Sequence, residues 1–447
     1  MTQAPRAVNI VGAGLAGSLL ALLLARRGLR VALFERRADP RQAQPERGRS
    51  INLALAARGL RALQRAGVLA QVQPLLIPMR GRMVHERAGR AALQPYGQRE
   101  HEVIYSVGRA DLNRVLIDAA ARHGAVSVRF GQTCLGADSA ASRLRFRGEG
   151  GEYSVPLAPT LATDGAGSAV RTSLAAAGLL KVREEWLDHD YKELSISPAA
   201  GAALEQHALH IWPRGGFMLI ALPNTDGSFT ATLFLPRSGA PSFATLDGAA
   251  AVTAFFGREF PDTLALLPDL AAQFAAHPQG QLGTVHTTPW HRGGEVLLLG
   301  DAAHAIVPFH GQGMNAAFED CTQLDELLGA HGADWAGAFA AFEAARAPNA
   351  AAIARMALEN YAEMRAAVLD EGFVRRRTLA LELERRFPER FIPRYSMVMF
   401  HPEIPYTEAL RRGAVQEELL RQLDAGPGTQ PDGARAAELV ASRLAPL

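Results

Sequence analysis

Cysteine is nearly missing from this chain: 447 residues hold only Cys134 and Cys321, and the two form no spacing motif. That excludes a cysteine-based zinc site and suits a reducing compartment, while leaving catalysis by a single thiol open. Lysine is equally scarce, present only as Lys181 and Lys192, so the positive charge is almost all arginine and no single arginine carries weight by itself. Excess charge is lacking too. With a formal net charge of +2 and acidic residues interspersed among the basic ones, nucleic acid is not expected as a partner. A membrane-spanning run is also wanting: the uncharged stretch Ala7 to Ala25 is long enough to imitate one, but glycines at 12, 14 and 17 interrupt it. The apolar positions of 415–423 and 436–444 are broken by charges, so no tail anchor is visible, and a soluble cytoplasmic protein with no membrane partner is expected. No set of residues suggests a metal site.

A chain this long can bury a large core and carry two or three joined regions. Ala7 to Val11 reads as a buried parallel strand, followed directly by Gly12-Ala-Gly14-Leu-Ala-Gly17 and a helical run, Ser18 to Arg27. A second strand, Arg30 to Phe34, ends in Glu35. The first glycine makes the turn, the second lets backbone approach a pyrophosphate, the third packs helix on strand, and the acid accepts from a ribose hydroxyl. Set between strand and helix, the motif is specific for a dinucleotide. Glu35 disfavours a 2'-phosphate, so FAD or NAD fits better than NADP.

A second nucleotide-type element lies far along the chain, at Val296 to Asp320. An apolar strand turns at Gly300-Asp301, and Gly311-Gln312-Gly313-Met314-Asn315 precedes an alanine-rich helix. Asp301 can accept from a polyol hydroxyl, and the glycine-flanked amides can face an electron-rich group at the helix N-terminus. A third element, Thr163-Asp164-Gly165, is another strand, turn and helix start. Alone, each of these two is also readable as a capped turn.

Between them lie other candidates. Gly48 to Leu55 sets polar residues among apolar ones, either lining a cofactor or crossing into a helix. The short strands Met79 to His85 and Ala91 to Tyr96 can carry Arg82 and Tyr96 on facing positions, suited to a carboxylate, although either Arg80 or Arg82 reads equally well as a surface charge. From Tyr191 to Leu235 the period is that of antiparallel strands, a floor for an aromatic pocket, with Phe217, Leu219, Phe229, Thr232 and Phe234 as wall or core. Helices are predicted over 249–260, 264–274, 321–328, 335–346 and from Pro348 through Val368 and on to Arg386. In the last of these, Asn360, Glu363 and Met364 share one face by the i, i+3, i+4 rule, as a pocket lid or as an ordinary polar helix.

Three separated elements, Gly12 to Gly17, Asp164-Gly165 and Gly300-Asp301, occur together in the flavin-dependent aromatic hydroxylases, and the chain resembles that family. Finer matches, GRSINLAL at 48–55, PMRGRMVH at 78–85, LHIWPR at 209–214, GDAAHAIVPFHGQGMNAAFED at 300–320, NYAEMRA at 360–366 and FIPRYSMV at 391–398, are similar to the kynurenine 3-monooxygenase branch. One departure is Thr163, where the family usually has alanine or cysteine. The anchoring extension of mitochondrial members is missing, which resembles a soluble bacterial form.

The resemblance implies an α/β fold: a Rossmann-like FAD-binding domain (1–75, 106–180, 286–330) interleaved with an antiparallel-sheet substrate domain (76–105, 181–285) and a mainly helical C-terminal region (331–447) that closes the substrate pocket. It implies bound FAD, held by Gly12, Gly14, Ala16, Gly17, Glu35, Arg37, Ala54, Arg109, Cys134, Asp164, Asp301, Gly313, Met314 and Asn315. It further implies L-kynurenine, held at its amino-acid end by Arg82, Tyr96, Asn360 and Tyr395 with Glu363 and Met364 nearby, and bordered by Phe309 and His310 next to the flavin. NADPH and O2 are the implied co-substrates, with oxygen activated as a flavin C4a-hydroperoxide and no catalytic group beyond the flavin; a monomer or homodimer is expected. No second G-x-G-x-x-G exists for NADPH, so transient docking is expected. The rival readings are a hydroxylase of another aromatic acid and a non-oxygenating flavoprotein reductase.

Overall fold

The structure is a computed structural model that describes residues 7–42, 52–366, 370–424, 426 and 433–447; the start of the Gly48 to Leu55 segment and Val368 lie outside the described residues. The chain divides into two compact units, each discontinuous: Met1–Leu76, Val107–Trp186 and Gly283–Ala354 form the first, and Ile77–Ser106, Leu187–Leu282 and Arg355–Leu447 the second.

The first unit is built on a six-stranded sheet in the order 291–292, 296–298, 160–162, 7–11, 30–34, 126–129. All neighbouring pairs are parallel except the 291–292 edge. Strands such as Ala7–Val11, apolar but for Asn9 and buried from Val8 onward, are what a parallel sheet covered on both faces requires. The helix Leu15–Arg26 is apolar almost all round and buried from Leu15 to Ala25 except Ala16, as expected of an interior helix; it packs against Arg109–Arg122 and Gly313–His331. A separate antiparallel sheet joins Thr133–Asp138, Arg143–Gly148 and Gly151–Pro156.

The second unit carries most of a seven-stranded sheet ordered 279–288, 181–196, 229–236, 218–223, 208–213, 81–85, 91–95. From 181–196 through 91–95 the neighbouring strands are antiparallel, apart from the parallel pairing of 208–211 with 81–84. Alternation divides the wall candidates. Trp212, Leu219 and Leu233 are register partners, and with Phe217 and Phe229 they belong to a core under the helices Gly248–Glu259 and Leu270–Ala276. Thr232 and Phe234 pair with Ile220 and Met218 on the opposite face, which is the face of Arg82 through Leu209 and Ile211. A second cluster, including Leu383, Phe391, Leu419, Val440 and Leu444, binds together the C-terminal helices.

Two predicted helices need correction. Trp335–Arg365 is one helix with Pro348 inside it, because proline forfeits one ladder bond while buried Ala350, Ile353, Met356 and Ala357 continue the apolar stripe past it. Residues 264–269 are not α-helical, and the helix starts at Leu270, since Pro268 biases the residue before it away from helix.

Candidate active site

In the first unit the glycines do three distinguishable jobs. Gly12 has φ +97°, and a Cβ there would lie 2.7 Å from the Thr163 carbonyl oxygen. A Cβ on Gly17 would fall 1.9 Å from the Gly12 carbonyl oxygen, so only glycine lets the helix approach the strand. At Gly14 a Cβ would meet nothing within 4 Å; the space beside that backbone is open, as a close-approaching pyrophosphate needs. Thr163, the departure from the family pattern, fits: its hydroxyl donates to this turn, with the carbonyls of Val11 and Gly12 at 3.0 and 2.9 Å.

Glu35 is buried, with Oε2 accepting from Ala13 N–H at 2.8 Å and Oε1 from Arg37 Nε at 2.8 Å. Burial works against its charge, but Arg37 and the Ala13 amide outweigh it and hold the carboxyl below its ordinary range. It is therefore an acceptor at neutral pH, as ribose recognition demands. Arg109 is exposed at the first position of its helix and has no partner among the described residues. A cation at the positive end of a helix dipole is unfavourable unless an anion sits there. Asp301 is likewise exposed with no partner among the described residues, at the end of the strand Val296–Leu298 and past Gly300, whose φ is +54°. An open cradle at Gly14, an ionised acid, an unpaired arginine and an unpaired aspartate fit a dinucleotide with hydroxyls and phosphates.

Two other predicted cofactor residues, Asn315 and Asp164, have side chains bonded within the protein. Asn315 is fully buried; its Oδ1 accepts from Ala56 N–H at 2.9 Å and its Nδ2 donates to Ala54 and Gly311 carbonyls at 2.8 Å each. It ties the Ala54 strand to the Gly311 turn, and its side chain is spent on that. Asp164 caps the helix Ala169–Ala176, accepting from Ser168 Oγ at 2.6 Å and Ala169 N–H at 2.8 Å. Burial pushes its carboxyl up. Burial also pushes the Cys134 thiol up to about 12 and raises Cys321, so neither is a thiolate nucleophile at neutral pH. Ala16, Gly313 and Met314 are partly exposed, while Phe309 and His310 are buried in a short turn, Pro308–His310.

Sequence reasoning missed what holds the Gly300 turn. Asp320, fully buried, accepts from Gly300 N–H at 3.0 Å and lies 2.6 Å from His304 Nε2. Its other oxygen accepts from Arg346 Nε at 2.7 Å, and Arg346 also reaches Glu319 at 2.6 Å. Burial opposes the charge of Asp320, but His304 and Arg346 prevail and keep it low. Arg171, in turn, donates to the Ala302 carbonyl at 2.9 Å. Asp320 stands in the quoted GDAAH motif, yet nothing local in sequence marks a partner 26 residues away.

The second unit brings together the residues expected around a carboxylate. Arg82 is 3% exposed; its Nη1 donates to Glu363 Oε1 at 2.8 Å and its Nη2 lies 3.4 Å from Asn360 Oδ1. Tyr96 and Tyr395 stack with centroids 5.5 Å apart, and the guanidinium lies 5.8 and 5.0 Å from their rings. Asn360 Nδ2 donates to Met364 Sδ at 3.3 Å, so the helical stripe is real. Burial pulls the charge of Arg82 down, but Tyr395, Glu363 and Tyr96 more than offset it. Arg82 Nε is buried with no hydrogen-bond partner among the described residues. Arg377 was not foreseen. It donates to Gln94 Oε1 at 2.9 Å and bonds the Pro95 carbonyl, and burial together with the charge of Arg82 lowers its pKa. A run of three arginines, 375–377, reads as a solvated face; the usable signal is that Arg377 lies on the same stripe as buried Ala380 and Glu384.

A glycine-turn nucleotide site on a parallel sheet, interleaved in sequence with an antiparallel unit that buries an arginine, defines the class. The chain belongs to the family described as FAD binding domain, whose model matches residues 6–357, and it is an FAD-dependent monooxygenase. Within that class it belongs to the kynurenine 3-monooxygenase family. It is 51% identical to kynurenine 3-monooxygenase of Stenotrophomonas maltophilia (strain K279a) over 94% of this chain and 92% of that one. It is 48% identical to that of Xanthomonas oryzae pv. oryzae (strain MAFF 311018) over 99% and 98%. Solved structures share the fold at low identity. One is a tetrameric form of 2-methyl-3-hydroxypyridine-5-carboxylic acid oxygenase (TM-score 0.66, 20% identity, 80% of this chain and 92% of that one). Another is PqsL of P. aeruginosa in complex with 2-aminobenzoylacetate (TM-score 0.64, 22% identity, 81% and 99%). No helix among the described residues is long and apolar enough to cross a membrane.

Proposed function

We propose that this chain hydroxylates L-kynurenine at the 3-position, consuming NADPH and O2. The observation that carries the reading is Arg82: a buried guanidinium whose Nε–H is unmet among the described residues, ringed by two phenols and an amide in the second unit. A substrate carboxylate completes that donor set, and an arginine with a phenol as third donor matches its planar oxygens. Arg377 adds a second positive charge against the single carboxylate of Glu363, so the surroundings favour an anion. Asn360 and Tyr395 serve the rest of the amino-acid end. The names of the relatives, both kynurenine 3-monooxygenases, support the same substrate.

In this reading FAD, when bound, supplies the oxygen chemistry with electrons from NADPH, and Gly14, Glu35, Arg109 and Asp301 hold it. The chain's own task is position and dryness. The aniline nitrogen of kynurenine already donates electrons to the ortho ring carbon, so no strong base is required to activate the ring. The clamp at Arg82 fixes the amino-acid end; holding a reacting carbon to within ~0.5 Å is what such a clamp contributes. NADPH docks transiently, without a glycine-rich loop of its own.

The test is NADPH oxidation by the FAD-loaded protein with L-kynurenine against hydroxybenzoates, followed by mass analysis of the product. Stimulation by L-kynurenine and gain of one oxygen atom are expected. Stimulation by hydroxybenzoates instead, or NADPH consumption without an oxygenated product, overturns the reading.

A further inference from the structure

In the segment 389–393 the carbonyls of Arg390 and Ile392 accept from side chains, and that of Glu389 from a distant backbone amide. Arg412, 2% exposed on the helix Tyr406–Leu423, donates through Nη2 to the Arg390 carbonyl at 2.5 Å and to the Ala445 carbonyl at 2.9 Å. Gln416, one turn on, donates to the Ile392 carbonyl at 2.7 Å. Arg390 reaches back to the Leu444 carbonyl at 2.8 Å, and Leu447 N–H donates to the Glu389 carbonyl at 2.8 Å. Phe391, fully buried, sits in the same cluster as Leu419, Val440 and Leu444. A buried carbonyl deprived of its donor is costly, so this segment has one low-energy arrangement while Arg412 is present.

The braced segment leads straight into the clamp. Pro393 caps the short helix Arg394–Phe400, and its second residue is Tyr395, stacked on Tyr96 with the Arg82 guanidinium 5.0 Å from its ring. Gly413 packs here as well: a Cβ on it would fall 2.4 Å from Arg394 Cδ, so the Tyr406–Leu423 helix presses directly on the residue before Tyr395. We infer that Arg412, together with the terminal helix Gly433–Arg443 and residues 444–447, positions Tyr395 over Arg82 and thereby sets affinity for the amino-acid end of the substrate. Arg412 is a positioning residue that touches no substrate; the inference rests on the L-kynurenine reading above.

Arg412→Met, assayed as the FAD-loaded full chain, is expected to raise the KM for L-kynurenine roughly tenfold while kcat at saturation and the flavin absorbance hold. Arg412→Lys, which keeps a donor for both carbonyls, is expected to recover most of the lost affinity. A purely structural role predicts a lower melting temperature with an unchanged KM, and that result overturns the inference. Should Arg412→Met not fold, Arg390→Met, at a half-buried position, removes the bond to Leu444 and is expected to raise KM about threefold; an unchanged KM there overturns it equally. The two readings fail differently: an unsubstituted protein that does not turn over L-kynurenine removes the substrate assignment, whereas a normal parent KM shared by the variants removes only the brace.

Discussion

Arg82 donates to Glu363 at 2.8 Å, yet its buried Nε meets no acceptor among the described residues. A guanidinium fully used by its own protein would be a structural strut; one left a donor short, between two phenols, suits the anion-receptor role proposed for Arg82. The Glu363 contact keeps the charge compensated when no ligand is present, because an uncompensated buried cation is costly.

Arg82→Ala is expected to raise the KM for L-kynurenine on the order of 100-fold, the equivalent of about 2–3 kcal/mol for a lost charge-assisted pair. FAD content should stay at the parent level, since Arg82 and the nucleotide residues belong to different units. Steady-state kinetics with a flavin absorbance spectrum on the same sample checks both; an unchanged KM removes Arg82 from the clamp.

Gly14→Ala and Gly17→Ala should separate binding from folding. The Gly14 variant has room for its methyl and ordinary backbone angles, φ −69° and ψ −173°, so the apoprotein should melt like the parent while FAD affinity falls about tenfold or more. The Gly17 variant must push a Cβ against the Gly12 carbonyl and should lose roughly 3 kcal/mol of stability. Thermal melts of apoprotein and flavin fluorescence titration distinguish them; equal melting temperatures for the two variants would contradict the assignment.

Asp320→Asn should cost about 2 kcal/mol, because it removes one charge partner from the buried Arg346 guanidinium, which keeps its bond to Glu319, and weakens the hold on Gly300 N–H. Chemical denaturation of the apoprotein measures the loss. Weaker FAD retention is expected with it, since Asp301 comes directly after the held turn.

A pH dependence arises from His85 and His210, whose Nε2 and Nδ1 are 2.8 Å apart. Burial, and then the neighbouring His210, pulls His85 down to about 4, and burial lowers His210 as well. One ring must accept the proton that the other donates, which only a neutral ring can do. Unfolded histidine binds a proton near pH 6.5, so the unfolded state takes up protons between about 6.5 and 4 that the folded state refuses. Stability is therefore full above pH 6.5 and falls as the pH drops through that window, by on the order of 2 kcal/mol after allowing for partial solvent access. Denaturant midpoints at pH 7 and pH 5 measure the slope, and His85→Gln should flatten it; a slope unaffected by the substitution would rule out this pair as its source.

From the sequence alone came the elements whose chemistry is local. A glycine triplet between an apolar strand and an apolar helix, an acid at the end of the next strand, and a Gly-Asp turn ahead of a helix each carry their geometry in adjacent residues, because backbone sterics and helix periodicity act over a few positions. The shared face of Asn360, Glu363 and Met364 was legible for the same reason.

Register and distant pairing were left to the tertiary structure. Arg80 and Arg82 have the same parity, and only the break between the strands Ile77–Met79 and Gly81–His85 leaves the first exposed and the second buried. Likewise, the sheet register sent Phe217, Leu219 and Phe229 to the core and left Thr232 and Phe234 on the face of Arg82. Asn315 and Asp164 became struts because buried backbone groups claimed their side chains, and Arg377 turned inward from a run of three arginines because the stripe beneath it was already buried. Each outcome depends on which distant segment supplies the partner, and a single chain read in order holds no record of that choice.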